Sequence, residues 1–118
     1  MFRVTGRNGE SPAQSDEHKN KPPVLYQHGY GGSAAGTAWG GTWNPVMSLR
    51  LVDEGYDVWL GNNRGVLYSN VHDRDGEWSL KERWDFSFAD MGVFDMPAQL
   101  DKVIEVSKKP KVTVIGYS

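Results

Sequence analysis

The stretch VTVIGYS, residues 112–118, decides the fold because it joins an apolar run directly to a tight turn. Its β-branched residues predict a strand over 111–115 that is covered on both faces, as in the interior of a parallel sheet. The G-x-S sequence that follows, from Gly116 to Ser118, is the first half of the nucleophile elbow G-x-S-x-G. Ser118 is therefore a candidate nucleophile. A G-x-S triplet is also frequent by chance, and the alternative is an ordinary turn serine.

Two further strands and two helices precede this stretch. Apolar runs predict strands at 23–28 and 56–61, and apolar residues at helical spacing predict helices at 45–54 and 96–107. The order strand, helix, strand, helix, strand is typical of a parallel sheet with right-handed crossover connections. The sequence therefore predicts a fold of the α/β class.

Turn and cap residues indicate where both helices begin and where the first one ends. Asn44 is a suitable N-cap, and Pro45 suits the first helical position. Gly55 is placed to end the same helix in a left-handed conformation. Asp95 is the predicted N-cap of the second helix, which carries Pro97 in its first turn.

The remaining segments are polar and rich in turn residues. Residues 2–4 resemble the tail of a strand, and the stretch from there to residue 22 has no periodicity, which is typical of a surface loop. We therefore divide the chain into a strand remnant with a polar loop at 1–22 and the main α/β region at 23–118. Residues 63–84 form a second polar excursion, in which we expect at most short helical pieces.

Composition excludes several classes of function. Thirteen Lys and Arg against 15 Asp and Glu give the 118 residues a formal charge of −2, so no basic surface favours binding to nucleic acid. We find no apolar run long enough to cross a membrane and no apolar core of a secretory signal. The absence of cysteine rules out disulfides and thiolate sites without deciding the compartment.

The glycine-rich sequence QHGYGG at residues 27–32 adds to the case for Ser118. An elbow serine requires backbone N–H donors that stabilise an oxyanion, and one of them comes from a loop after an earlier strand. Tyr30 is the candidate donor through its main-chain N–H. Gly29, Gly31 and Gly32, which lack Cβ atoms, would let the main chain approach the oxyanion closely. The alternative is a flexible glycine loop without chemistry.

The same glycines fit two phosphate-binding motifs only in part. Gly29, Gly31 and Ala34 match G-x-G-x-x-A, but no helix is predicted to open inside the loop and no acidic residue ends the next strand. Gly31 and Gly36 have the spacing of a phosphate loop, but Thr37 stands where lysine is required. We therefore predict no nucleotide cofactor.

Metal sites are also poorly supported. Asp73, Asp75 and Glu77 alternate as in a calcium loop, but Trp78 and Trp84 occupy the positions that need glycine and glutamate. Three histidines lack the spacing of a zinc site; they are His18, His28 and His72. We therefore predict no metal.

Four long blocks, taken together, resemble the acid lipase family, which includes the gastric and lysosomal lipases. The blocks are PVLYQHGYGGS at 23–33, GYDVWLGNNRG at 55–65, WDFSFADMGVFDMPAQLDKVI at 84–104 and VTVIGYS at 112–118. The resemblance extends over nearly all of residues 23–118. It is specific because the blocks are long, ordered and rare in combination.

The resemblance implies an α/β-hydrolase that cleaves lipid esters, either acylglycerols or sterol esters, with a Ser-Asp-His triad. Ser118 matches the nucleophile, and Tyr30 matches the oxyanion position, where family members often carry leucine. His28 matches a histidine with a structural role. The family's active-site floor is matched by Asn62, Arg64 and Gly65. The resemblance also implies transient contact with a lipid interface, no cofactor, and a lysosomal or secreted location.

This sequence departs from the family pattern in what it does not contain. The triad Asp and His, the lid and the second oxyanion donor would lie beyond Ser118, and the first strand of the fold would precede Met1. We therefore expect a fragment of a longer lipase that is inactive by itself. The alternatives are an α/β-hydrolase acting on other esters or thioesters, and a non-catalytic pseudoenzyme or interaction module.

Overall fold

The structure is a computed structural model that describes residues 1–4, 6, 20–36, 46–71 and 79–118. Several sequence predictions fall outside these ranges. They concern His18, His72, the acidic stretch 73–77, the caps Asn44 and Pro45, and most of the polar loop before residue 20.

Four strands form one sheet in the order β1-β3-β2-β4. The strands are β1 Phe2–Val4, β2 Pro23–Gln27, β3 Asp57–Leu60 and β4 Thr113–Gly116. Strand β2 runs parallel to both β3 and β4, whereas β1 pairs with β3 in the antiparallel direction. The predicted α/β class with three parallel strands is confirmed. Strands β2 and β3 are one and two residues shorter than predicted, and β4 begins two residues later and ends one residue later.

Alternating residues of the strands build a core on each face of the sheet. One cluster joins Val58 and Leu60 of β3 to Val52 and Ala34. The other joins Leu25 and Trp59 to Val103. Because β2, β3 and β4 run parallel, the residues that follow these three strands meet at the same edge of the sheet.

The helix α1, Val46–Asp53, lies within the predicted range 45–54. Gly55 ends it with φ +91°, as predicted. The Gly55 N–H bonds to the Val52 carbonyl at 3.0 Å and the Tyr56 N–H bonds to the Leu51 carbonyl at 2.9 Å. This pair of bonds is the Schellman motif, which satisfies the last carbonyls of a helix and favours glycine at the left-handed position.

The second predicted helix is part of a longer helical segment. Helix α4 is Met96–Ser107, as predicted, but it continues directly from α3, Phe88–Asp90, through a π-helical turn at Met91–Asp95. The prediction that Asp95 caps the helix is wrong, because Asp95 has helical dihedral angles and its side chain makes no cap bond.

Ser87 begins this helical segment instead. Its hydroxyl accepts a bond from the Asp90 N–H, while the Asp90 carboxylate accepts from the Ser87 N–H, which is a capping box. Pro97 offers a physical reason for the π turn. A proline inside a helix removes one hydrogen bond and crowds the carbonyl four residues earlier, and a widened turn relieves that conflict.

In the described part of the excursion after β3, the helical structure is a short piece, in agreement with the prediction of at most short helical pieces. Helix α2, Leu80–Arg83, begins at Ser79, whose hydroxyl accepts a bond from the Glu82 N–H. The Glu82 carboxylate accepts bonds from Ser79 in return and completes a second capping box. These bonds lower the pKa of Glu82.

Strand β4 differs from its prediction as a strand covered on both faces. Among the described strands it pairs only with β2, so it lies at one edge of the sheet. Its residues are exposed or half-buried, and Val114 is 42% exposed. The apolar run correctly predicted a strand, but burial depends on neighbours that its own sequence cannot specify.

A buried ion pair between Arg3 and Asp57 connects β1 to β3 at the end of the strands away from Ser118. The Arg3 guanidinium donates to both Asp57 carboxylate oxygens, at 2.8 and 3.0 Å. The Trp59 indole N–H also donates to Asp57, at 2.9 Å, and the Arg3 guanidinium lies 4.8 Å from the centre of the Trp59 ring. The Asp57 side chain is fully buried, so these bonds compensate for the loss of its hydration.

Candidate active site

Ser118 lies at the carboxyl edge of the sheet, two residues after the end of β4. The Tyr117 N–H bonds to the Gln27 carbonyl at 3.1 Å, which holds the turn against the end of β2. Ser118 has φ +60°, a left-handed conformation that is uncommon for residues other than glycine. A sharp, strained turn of this kind is expected of an elbow serine.

Gly29 brings the loop after β2 into contact with this turn. A Cβ atom at Gly29 would lie 2.8 Å from the Tyr117 carbonyl oxygen and 2.9 Å from Ser118 Cβ. These distances are shorter than real Cβ atoms adopt, so only glycine fits here without displacement of the main chain. The predicted close approach of the glycine loop is therefore directed at Ser118 itself.

Tyr30 occupies the second position of a tight turn. The Gly32 N–H bonds to the Gly29 carbonyl at 2.9 Å, and Gly31 has φ +74°, as the third residue of a type II turn requires. The Tyr30 side chain is 76% exposed. Among the described residues, none accepts a hydrogen bond from the Tyr30 N–H.

His28 is buried and uses both ring nitrogens. Nδ1 lies 2.8 Å from the Gly29 carbonyl oxygen, and Nε2 lies 3.2 Å from the backbone nitrogen of Asn63. Because a carbonyl can only accept and an amide N–H can only donate, the two contacts together require the neutral ring with its proton on Nδ1. His28 therefore links the loop after β2 to the loop after β3.

Three successive backbone N–H groups after β3 are bound by three different side chains. The Asn62 N–H donates to Gln99 Oε1 at 3.0 Å, and the Asn63 N–H donates to His28. The Arg64 N–H donates to Asp95 Oδ2 at 2.8 Å. We call residues 62–64 the clamped loop. These N–H groups lie beyond the end of β3, where they no longer bond to a neighbouring strand. Without the three side chains they would be unsatisfied near the core.

Arg64 and Asp95 form a further contact at this loop. The Arg64 Nε donates to Asp95 Oδ1 at 2.8 Å, and an Nη atom lies 2.7 Å from the same oxygen. The hydrogen bond that the guanidinium donates to Asp95 raises the pKa of Arg64. The guanidinium also lies within 6 Å of the ring centres of Phe86 and Phe94. Gly65 follows with φ +80° and lies against Trp84 and Phe86.

A pocket of about 310 Å³ lies beside these loops. Its lining includes Ser118, Tyr30 and three apolar residues of the helical segment. These are Phe88, Met91 and Met96. The pocket therefore brings both predicted site residues to one apolar cavity.

Gln27 is another residue that lines this pocket. It is buried, and within the described ranges neither polar atom of its side-chain amide has a hydrogen-bond partner. The same holds for Asn62 Nδ2, whose companion Oδ1 accepts from the Ala34 N–H at 2.9 Å. A buried amide without partners is a position where water or a ligand can bind.

The structure places the predicted residues of the site as follows. Ser118 and Tyr30 line one pocket, and His28 supports the turn that carries Tyr30. Sequence analysis missed the supporting role of Gln99 and misinterpreted Asp95. Their spacing of four residues on one helical face, together with the polar clamped loop, was the available signal.

Within the part of the chain that the structure describes, no group of three or more His, Asp or Glu side chains is placed to hold a metal ion. In the same ranges, no helix has both the length and the apolar character needed to cross a bilayer.

The sheet, the turn at Ser118 and the glycine loop define an α/β hydrolase. The family model for the α/β-hydrolase fold matches residues 22–118, and the chain therefore belongs to this family. The fold that the sequence resemblance implied is therefore the fold of the family that this chain matches.

Within the family, the chain is similar to lipases. It is 43% identical over 98 residues to Lipase 1 of Drosophila melanogaster, a match that covers 82% of this chain and 22% of the relative. It is 37% identical over 106 residues to gastric triacylglycerol lipase of Rattus norvegicus, covering 88% and 26%. It is 36% identical over 113 residues to Lipase member J of Homo sapiens, covering 89% and 29%. The acid-lipase resemblance is confirmed, and the chain spans about a quarter of the length of these curated relatives.

Proposed function

We propose that this chain is the nucleophile-bearing part of a lipid-ester hydrolase that uses a Ser-Asp-His mechanism. Ser118 is the nucleophile, and the Tyr30 N–H is one donor to the oxyanion. The observation that carries the proposal is the contact of Gly29 with Ser118, because it brings a backbone donor and a strained serine to the same pocket. The lipase names of the relatives support the choice of reaction.

In this mechanism a histidine base removes the proton of the Ser118 hydroxyl as the oxygen attacks the ester carbonyl. The carbonyl oxygen becomes an oxyanion, which the Tyr30 N–H stabilises together with a second donor. The histidine then protonates the leaving alcohol, and water releases the acyl group. The proton thus passes from the serine to the alcohol through the base.

His28 is not suited to be that base. Its Nδ1 proton is bound to the Gly29 carbonyl, and the Asn63 N–H occupies the lone pair of Nε2. It is also the one histidine among the described residues. The family resemblance matches no residue of this chain to the triad Asp or His. On that ground we expect the 118-residue chain alone to have no appreciable esterase activity, because removal of a triad member costs several orders of magnitude in rate.

The pocket supports an apolar acyl group as the part of the substrate that binds beside Ser118. Phe88, Met91 and Met96 present carbon and sulfur surface, and methionine adapts to chains of varied shape. Acylglycerols or sterol esters carry such acyl groups, and transient contact with a lipid interface would deliver them. We place the protein among lipases acting in the lysosome or outside the cell on the basis of family resemblance.

The test is hydrolysis of p-nitrophenyl esters with short and long acyl chains. It compares the 118-residue chain with the protein expressed from the complete coding sequence. Ser118→Ala should abolish turnover by the complete protein, whereas the matched variant Ser69→Ala should not. Activity that survives Ser118→Ala would disprove the nucleophile. Turnover by the short chain that depends on Ser118 would disprove its expected inactivity.

Acyl-chain preference separates the lipase from its alternatives. A lipase should prefer long-chain esters presented in emulsions, whereas an esterase or thioesterase should prefer short soluble substrates. Absence of Ser118-dependent turnover in the complete protein would favour a non-catalytic interaction module.

A further inference from the structure

We propose that Gln99 is a positioning residue for the oxyanion donor, acting on the Tyr30 N–H through Asn63 and His28. This inference rests on the proposed function of Ser118 and Tyr30. Gln99 does not line the pocket, so it would influence the reaction without touching the substrate. The argument follows a continuous series of hydrogen bonds from α4 to the turn.

The first step concerns the direction of the Tyr30 N–H. The Gly29 carbonyl and the Tyr30 N–H belong to one planar trans peptide, so the two groups point in opposite directions. The carbonyl is held by two contacts, the Gly32 N–H at 2.9 Å and His28 Nδ1 at 2.8 Å. Fixing the carbonyl in this way also fixes the direction of the N–H.

The second step concerns the imidazole ring. His28 can hold the Gly29 carbonyl only while its proton remains on Nδ1. The Asn63 N–H, 3.2 Å from Nε2, favours that tautomer because it needs a lone pair at Nε2. The position of Asn63 therefore controls both the orientation and the protonation pattern of the ring.

The third step identifies what holds Asn63. Gln99 Oε1 accepts from the Asn62 N–H at 3.0 Å, and Gln99 Nε2 donates to Asn63 Oδ1 at 3.4 Å. One buried amide thus binds two successive residues of the clamped loop. Gln99 lies one helical turn before Val103, which is fully buried in the core, so its backbone is firmly placed.

The same helical segment contributes Met91 and Met96 to the pocket wall. The acyl-binding wall and the oxyanion donor therefore depend on one structural support. A change at Gln99 should act mainly on the transition state, since the apolar wall that binds the acyl chain is left intact.

The test uses the protein expressed from the complete coding sequence and compares two variants. Gln99→Met removes both amide contacts at nearly constant size, whereas Gln99→Glu retains the acceptor for the Asn62 N–H. Lys102→Gln is the matched control, because Lys102 lies on the same helix and pairs with Glu105 at the surface. Thermal unfolding of each variant verifies that it is folded.

Gln99→Met should lower kcat about tenfold with KM within twofold, less than the hundredfold or greater loss expected on deleting an oxyanion donor. The affinity for a boronic acid, which forms a tetrahedral adduct with the serine, should fall by a similar factor. Gln99→Glu should recover most of the loss, and Lys102→Gln should show none. Unchanged kcat in folded Gln99→Met would overturn the inference.

A second measurement, by NMR, tests the role of Gln99 without relying on enzymatic turnover. Selective ¹⁵N-tyrosine labelling reports the Tyr30 amide, which a Tyr30→Phe variant assigns by its disappearance. Gln99→Met should shift or broaden this resonance more than Lys102→Gln does, and equal small effects would refute the proposed linkage.

The two proposals can fail separately. Should Ser118→Ala leave hydrolysis unchanged, the proposed function fails, whereas the amide resonance still tests the role of Gln99. Should Gln99→Met fail to fold, Asn63→Ala tests the same linkage by both measurements.

Discussion

Replacing Gly29 with alanine is the most direct perturbation of the candidate site. The new Cβ would lie 2.8 Å from the Tyr117 carbonyl oxygen, whereas ordinary contacts begin at 3.4 Å. Main-chain atoms would therefore have to separate by about 0.6 Å. Since Gly29 precedes the proposed oxyanion donor Tyr30 and Tyr117 precedes the proposed nucleophile Ser118, the shift changes the distance between these two groups.

The expected loss of activity follows from that displacement. A misplacement of about 1 Å in an active site can cost roughly 100-fold in rate, so about 0.6 Å corresponds to roughly 15-fold if the loss scales exponentially. We expect kcat/KM of the complete protein on a p-nitrophenyl ester to fall by about this factor in Gly29→Ala.

The matched control is Gly36→Ala. A Cβ at Gly36 would meet Ser33 Oγ at a comfortable 3.7 Å, and its φ is not in the left-handed range. This variant should retain the activity of the wild type. The reasoning is refuted if Gly29→Ala keeps kcat/KM within twofold of the wild type while its thermal unfolding is unchanged.

Two further predictions concern stability and pH. Asp57→Ala should lower the free energy of unfolding by about 3 kcal/mol, near the lower end for a broken buried pair because the Arg3 side chain is 22% exposed. Urea unfolding measures this as a lower midpoint at constant slope, and a change below about 1 kcal/mol would contradict it. Ser87→Ala should raise the pKa of Asp90 toward its ordinary value of 3.8, since bonds from Ser87 lower it. The capping box therefore contributes stability above that value and loses it as the pH falls through the lowered pKa. Carboxyl NMR titration should show the rise in Ser87→Ala, and an unchanged Asp90 titration would contradict this account.

Local patterns were sufficient to predict the elements that form the sheet. The apolar runs at β2, β3 and β4 and the helical spacing in α4 predicted these elements to within two residues. The start of the helical segment was predicted incorrectly, because Asp95 followed by Pro97 is typical of a helix N-terminus. The capping box at Ser87 and Asp90 was the competing signal, and it defines the true beginning.

The candidate site likewise contains residues that local motifs predict and contacts that they do not. Motifs alone were sufficient to propose Ser118 and Tyr30, because each lies in a short, ordered sequence block. The contacts of Gln99 could not be predicted, since they join residues 36 and 37 positions apart. Such pairs depend on how the loops leave the sheet, which no local pattern specifies.

Two loops lie at the carboxyl edge of the sheet, the clamped loop and the turn after β2. They differ in whether the protein binds their backbone N–H groups. In the clamped loop every N–H is bound by a side chain, at distances between 2.8 and 3.2 Å. In the turn after β2, the Tyr30 N–H has no partner among the described residues, although its peptide is held firmly by the Gly29 carbonyl. An unsatisfied donor is costly unless water or a ligand binds it. The proposed oxyanion role of Tyr30 rests on this contrast, because a firmly held donor without a protein partner lies beside a serine in a left-handed conformation.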